Sequence, residues 1–588
     1  MRILLLATGA LSLLAACAQD KTASRADSNA GLEITVFEAQ TIVTMDTDQP
    51  RARYVATRDG RILAVAASIE EISNTLEGAA FTFDRQFAGK VLMPGLIDPH
   101  LHPMMAFLLP MHFITPEGWD LPSGVSAPSR SPEDYYSRLS FALAGDDAST
   151  PFFTWGYHQL WHGPIDRSVL DAIAPARPVI VWHRSFHEVI FNSAALKLFG
   201  LDTREAYDLA MSASGADPEH ANFDEGHFFE TGLAAALPPM RPYILSPMRL
   251  NAGFDAMKQM MRENGVTMIA DMATGLFAGF ETERAFIDAA FGEVSGNPAR
   301  VMLVADANSV IKEADSVEAA VDYVTAQARD RSRRVFVNNR IKLFADGAFF
   351  SQYMQMGPPG YDDGHQGKWI NPPEEFEKYA RAFWNAGVTI HWHVNGDAGL
   401  DAVLDVVEAL QTQTPRDDHR LTLEHLGYSR EDQNTRIAAL GVLVSAQPNY
   451  VYVLSDKYAE RGLGYERASQ ISRLGSLEDK NIKLALHSDL TMAPVDPLFL
   501  AWIAANRITM EGSVMAPEER LSLDKALRAV TIDAAYILGL EEEIGSIEAG
   551  KRADFAVLDA DPYQVGASAL KDIGIWGVVF EGRAYPAQ

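Results

Sequence analysis

Asp98, His100 and His102 close an apolar run from Val91 to Ile97 in the stretch VLMPGLIDPHLHPM. On an extended strand, residues two apart share a face, so both imidazoles and the carboxylate point the same way. Two imidazoles at a strand end form a metal-ligand pair, although an isolated His-x-His is also common as polar punctuation in a turn. Further polar residues end later apolar runs: Lys342 in RIKLFADG, His393 with Asp397 in VTIHWHVNGD, His425 in LTLEHLG and Asp489 in IKLALHSD. One such residue is an ordinary turn residue, whereas a set of them at the same end of successive strands points to one assembled site.

The elements that must position them are legible as short apolar runs rich in β-branched residues. After the first run come VTMIADMA from Val266, RVMLVADA from Arg300, RIKLFADG from Arg340, VTIHWHVNGD from Val388, LTLEHLG from Leu421, VLVSAQPN from Val442 and IKLALHSD from Ile482. Between them, PPEEFEKYARAFWNAG, AGLDAVLDVVEALQTQ and SREDQNTRIAALG space their apolar residues three and four apart, as helices do. Strand alternating with helix predicts an α/β fold, a (β/α)8 barrel of TIM type, whose chemistry sits where the strands end.

The ordered set PGLIDPHLH, HEVIFNSAAL, IKLFADG, HWHVNGDAGLD, LEHLG, SAQPNY, LALHSDL and GSIEAGKRADFAVLDADP resembles the amidohydrolase superfamily. The resemblance is to its YtcJ-like and N-substituted formamide deformylase-like branch, amidohydrolase family 3, from about Ile34 nearly to the C-terminus. It implies one or two divalent transition-metal ions, zinc foremost, with His100 and His102 on one and His393 and His425 on the other. It also implies that Lys342 bridges them as a carbamate, and that Asp489 contacts the metal and serves as general base. His187, in HRSFHEVIFNS, is by resemblance a catalytic residue that binds or polarises the substrate carbonyl; otherwise it is a satisfied histidine of an inserted lobe.

Those roles suit the residues. Neutral imidazoles favour borderline metals such as zinc, whereas calcium and magnesium prefer oxygen cages. Burial makes a lysine easier to deprotonate, and the neutral amine can take up carbon dioxide. The alternative is Lys342 paired with Asp346, which leaves a mononuclear site. A metal-activated hydroxide would attack an amide-type, non-peptide carbon–nitrogen bond of a small molecule, and Asp489 would hand the proton to the leaving amine. The same attack serves an ester, lactone or cyclic amide, and a non-catalytic metal- or solute-binding lipoprotein is the alternative of another class. Asp346 and Asp397 read as orienting residues, and His391 and His183 as packing or pocket-lining ones.

The remaining chain divides into expected parts. Residues 1–17 form a lipoprotein signal peptide, 18–31 a polar tether and 32–90 the first part of a small β domain. Residues 91–535 make the barrel, including an inserted lobe at about 107–260 after the first strand, and 536–588 complete the β domain as a β-sandwich with the N-terminal part. Within the lobe, Trp155, Tyr157, Trp161 and Trp182 are candidates for an apolar pocket, with lobe core as their commoner role.

The string LAAC at Leu14–Cys17 follows a short apolar stretch and resembles a bacterial lipobox, with Cys17 lipidated; an ordinary signal peptide with an incidental cysteine is the alternative. Ala18 then favours the outer membrane, with the enzyme anchored in the cell envelope and facing the periplasm. Cys17 is the only cysteine in the 588 residues, so no internal disulfide forms and no thiolate is left for the metal. A formal charge of -28 and a sequence pI of about 4.9 disfavour nucleic acid as a partner. The expected partners are a small amide-like substrate and, through the anchor, a membrane; the sequence leaves a homodimer open.

Overall fold

Pro94 and Gly95 split the first apolar run between two sheets. In the computed structural model, which describes residues 33–328 and 333–587, Val91–Pro94 pairs antiparallel with Phe555–Leu558, and Leu96–Leu101 enters a separate parallel sheet. The small β domain therefore reaches Pro94 rather than ending at residue 90. The junction is tight: a Cβ on Gly95 would fall 2.0 Å from the Thr267 hydroxyl oxygen. Gly95→Ala is accordingly expected to lower stability by about 1–3 kcal/mol through overpacking, read as a drop in Tm. The expected signal peptide with Cys17 and the polar tether lie outside the described residues.

The parallel sheet holds eight strands in sequence order: β1 (Leu96–Leu101), β2 (Val266–Thr274), β3 (Arg300–Asp306), β4 (Val335–Phe344), β5 (Thr389–Val394), β6 (Thr422–His425), β7 (Leu443–Ala446) and β8 (Leu484–Leu486). Every strand expected from the sequence is present. The two edges meet just beyond β8, where the Asp489 backbone N–H donates to the His100 carbonyl at 3.0 Å. This is the (β/α)8 barrel.

Helices of the expected periodicity cover it. Pro373–Asn385 starts with proline at its first turn and carries Glu374 and Glu375 there, where acids complement the helix dipole. It buries Phe376, Ala380, Phe383 and Trp384 at three-, four- and one-residue steps, the inward stripe of an amphipathic helix. At the opposite end from the strand termini, helix Ile532–Leu538 packs Ala534, Ile537 and Leu538 against Ile97, Met268, Met302 and Phe336. The chain thus stays with the barrel through Leu538, past the expected boundary at 535, because these apolar side chains seal its floor.

The two chain ends build one eight-stranded sheet, with strands Ile34–Val43, Arg51–Arg58 and Arg61–Ala66 from the start and Phe555–Leu558, Ile575–Phe580 and Arg583–Pro586 from the end. Alternation gives each face its own core: Phe37 and Val55 with Phe555 on one, Val36 and Tyr54 with Ile72 on the other. Between β1 and β2 the inserted lobe carries a six-stranded sheet and several helices. Trp155, Tyr157, Trp161 and Trp182 are all buried within the packed core of this lobe, and none of them lines the cavity described next.

Candidate metal centre and active site

The strand ends open into a cavity of about 1260 Å³, and His100, His102, His187, Lys342, His393, His425 and Asp489 all line it. The fold therefore brings together every side chain singled out for chemistry in the barrel and the lobe. Register explains how. Lys342 stands opposite Asp306 of β3 and His391 of β5, while His393 stands opposite Glu424 of β6. His425 follows Glu424 directly and would face the other side of a regular strand, but its φ of 74° turns the chain so that both serve the barrel interior.

Glu424 organises the inner layer. Its Oε2 lies 2.6 Å from His100 Nδ1 and its Oε1 2.6 Å from His391 Nδ1. His391 in turn receives a hydrogen bond from Arg340 on its other nitrogen at 2.8 Å, so its Nδ1 carries the proton that Glu424 accepts. The same carboxylate holds His100 with Nε2 toward the cavity. His487, on the strand end before Asp489, bonds Ser445 through Nδ1 at 2.8 Å and places Nε2 3.2 Å from His425 Nδ1.

Asp489 faces three imidazoles: His102 Nε2 at 3.3 Å, His425 Nδ1 at 3.8 Å and His100 Nε2 at 3.9 Å. Candidate ligand atoms of His100, His102 and Asp489 lie within 4.8 Å of one another, and so do those of His100, His425 and His487. His393 belongs to neither group; its ring centroid is 4.6 Å from that of His425, and its Nε2 accepts from Asn395 at 3.2 Å.

Burial dominates the electrostatics. It holds His100, His393 and His425 well below the usual histidine range and brings His487 to about 4, so these rings are neutral donors of lone pairs. His102 is the exception: burial pushes it down, but hydrogen bonds and charge from Asp271 and Asp489 override this and raise it to about 9. Burial would raise Asp489, and His102 with its neighbours holds it below the ordinary carboxylate value instead. Burial lowers the Lys342 amine to about 8 against the pull of Glu424, Asp489 and Asp306.

Among the buried polar atoms here without a hydrogen-bond partner are Lys342 Nζ and Asp98 Oδ2. Asp346 is not the partner of Lys342, because it accepts from the backbone N–H groups of Gln355, Asn395 and Gly396 at 2.8–2.9 Å. Neutral imidazoles beside a carboxylate fit a site completed by a cation, nitrogen-rich donors fit a divalent transition metal, and the partnerless Lys342 amine joins such a site once it has lost its proton.

His187 approaches from the lobe. Its Nδ1 is 2.8 Å from Glu230 Oε2, and its ring stacks near His393 with centroids 6.2 Å apart. Burial lowers its affinity for a proton, yet Glu230 wins and the ring titrates above the usual value. Asp397 is structural, accepting from the Gly357 N–H at 2.8 Å and pairing with Arg430 at 3.0 Å. His391 packs behind the site against Glu424, and His183 lies in the lobe bonded to Gln159 at 2.7 Å; neither lines the cavity.

Glu424, His487 and Glu230 are the residues that the sequence reading passed over. The signal for His487 was available: His487-x-Asp489 repeats the spacing of His100-x-His102, which places both on one strand face. Glu424 had none, since alternation assigns it and His425 to opposite faces.

The sequence profile of the amidohydrolase family matches residues 88–585. Protein LONG AFTER FAR-RED 3 of Arabidopsis thaliana is 26% identical over 553 residues, 90% of this chain and 88% of that protein. N-substituted formamide deformylase of Arthrobacter pascens is 30% identical over 243 residues, 41% of this chain and 44% of that one. Among solved structures, an uncharacterized metal-dependent hydrolase from Pyrococcus horikoshii superposes with a TM-score of 0.67 at 21% identity, covering 92% of this chain and 99% of that chain. With a profile matched across most of its length and a histidine-rich site at the mouth of a (β/α)8 barrel, the chain belongs to the amidohydrolase family of hydrolases.

Proposed function

We propose that this enzyme cleaves an amide-type, non-peptide carbon–nitrogen bond of a small molecule. One or two divalent transition-metal ions, zinc foremost, would be held by His100, His102, Lys342, His393, His425 and Asp489. The observation that carries this reading is the partnerless, buried Lys342 Nζ set among neutral imidazoles and Asp489. When bound, the metal supplies Lewis-acid polarisation of the carbonyl and acidifies a water near neutral pH. Asp489 takes the proton of the attacking water and returns it to the leaving nitrogen, which an amide requires because its anion leaves poorly. His187, held by Glu230, donates to the carbonyl oxygen as negative charge gathers there. Burial eases loss of the Lys342 ammonium proton, and the free amine attacks carbon dioxide: an N–C bond forms, one C=O π bond opens onto oxygen, a second N–H proton leaves, and the carbamate would offer an anionic oxygen to the metal.

The test is metal analysis of the protein without its first twenty residues, run beside N-acyl amino acids, N-formyl amines, lactams and esters. The expected result is about two transition-metal ions per chain with chelator-sensitive amide cleavage. A single ion would remove Lys342 from the ligand set. Folded protein that neither holds nor takes up metal would overturn the proposal.

We further propose that Cys17 is lipidated and tethers the enzyme to the cell envelope, facing the periplasm at the outer membrane. The LAAC string, the polar residues 18–31 and Ala18 support it. Cys17→Ser is expected to shift the protein from the membrane pellet to the soluble fraction of a fractionated host; continued pelleting with membranes counts against the anchor.

A further inference from the structure

We infer that the substrate carries a large apolar substituent, of hexyl size or more, which lies against the inserted lobe while the scissile bond sits over the barrel mouth. This rests on the hydrolase reading above and names the substrate class for that site.

The cavity, at about 1260 Å³, exceeds the roughly 300–1,000 Å³ of drug-sized ligand sites. Its two sides differ in chemistry. The histidines, Lys342 and Asp489 converge at the strand ends, and Lys312, Glu313, Glu375 and Tyr379 add polar groups from barrel helices Ala307–Ala314 and Pro373–Asn385. The lobe's wall is apolar. Helix Arg204–Ser214 turns Ala206, Leu209, Ala210 and Ala213 to the cavity, spaced three and four apart and therefore on one face. Helix Leu233–Ile244 faces it with Leu233, Leu237 and Pro238, and Phe199 and Leu201 join them.

The lobe lends the cavity one carboxylate, Glu230, and that group is engaged by His187 and by the Ala348 N–H. Its other polar contributions to the lining, Ser185, His187, Ser214, Thr231 and Arg241, carry no negative charge. The apolar face of helix Arg204–Ser214 is only partly covered. Leu209 is 70% exposed and Ala206 and Ala210 are half-buried, while Tyr207 and Met211 pack the opposite face into the lobe core and Arg204, Glu205 and Asp208 face solvent. An apolar helix face left open inside a cavity continuous with the catalytic groups gains most from an apolar ligand group, because each methylene buried there adds to binding.

Two probe series test this: N-acylglycines from acetyl to dodecanoyl, and N-alkylformamides from methyl to dodecyl, each below its micelle-forming concentration. In one series kcat/KM is expected to climb by roughly two- to fourfold per methylene. A climbing acyl series places the apolar group on the carbonyl side, and a climbing alkyl series on the amine side. Flat profiles in both overturn the inference. Leu209→Asp and Ala210→Trp, both at partly exposed positions, are expected to lower the ratio of long- to short-chain kcat/KM by about tenfold or more. An unmoved ratio in both variants would also overturn it. Calorimetric titration with N-dodecanoylglycine against N-acetylglycine separates this failure from that of the parent reading. Chain-length-dependent binding without turnover of any amide upholds the apolar subsite and rejects carbon–nitrogen hydrolysis; turnover indifferent to chain length does the reverse.

Discussion

Asp489→Asn is expected to lower kcat by about 10²–10⁴-fold, the range that a positioned general acid–base contributes, with metal content retained. Asparagine keeps the shape of the side chain and one carbonyl oxygen. It also leaves intact the backbone bond from residue 489 to the His100 carbonyl, which closes the barrel at this point. What it removes is the charge and the basicity. In the native site that carboxylate lies 3.3 Å from His102 and within 3.9 Å of His100 and His425, which places it to carry a proton over the barrel mouth. Steady-state kinetics on a confirmed amide, run beside metal analysis of the same preparation, decide the matter. Unchanged turnover would remove Asp489 from the proton path; lost metal would make it a ligand before it is a base.

The barrel was legible because its strands are buried on both faces and so read as unbroken apolar runs, and because the helices between them keep one apolar stripe. The polar residues ending those runs stood out against that background, which is why His100, His102, Lys342, His393, His425 and Asp489 could be named from spacing and resemblance together. The boundaries were harder. Val91–Pro94 and Leu96–Leu101 read as one run, since apolarity does not record which sheet a strand joins; only Pro94, Gly95 and the close approach of Thr267 mark the division. Helix Ile532–Leu538 is likewise assigned by what it covers, the barrel floor, rather than by its own pattern. Glu424 escaped because strand alternation holds only while the strand is regular. The positive φ of His425 ends that regularity, and adjacent residues then serve one site from two levels.

That escaped residue carries the second large effect. Glu424→Gln is expected to weaken metal binding by about 10–100-fold and to destabilise the fold by about 3–5 kcal/mol. The carboxylate is fully buried and accepts from both His100 and His391 at 2.6 Å. Burial would raise its pKa, but the hydrogen bond from His391 and the charge of Lys342 hold it down at about 2, so it is an anion at any pH at which the enzyme works. Glutamine replaces one accepting oxygen with an NH2 donor. Either that donor meets the Nδ1–H of His100, or it meets that of His391. His391 cannot shift its proton easily, because Arg340 already donates to its other nitrogen. His100 must then move its proton to Nε2 or rotate, and either response takes the lone pair of Nε2 away from the cavity. A metal titration followed by thermal melting checks both parts, and excess metal is expected to restore a share of the activity. Should the variant bind metal and melt like the wild type, the Glu424 tie to His100 has no part in shaping the donor set.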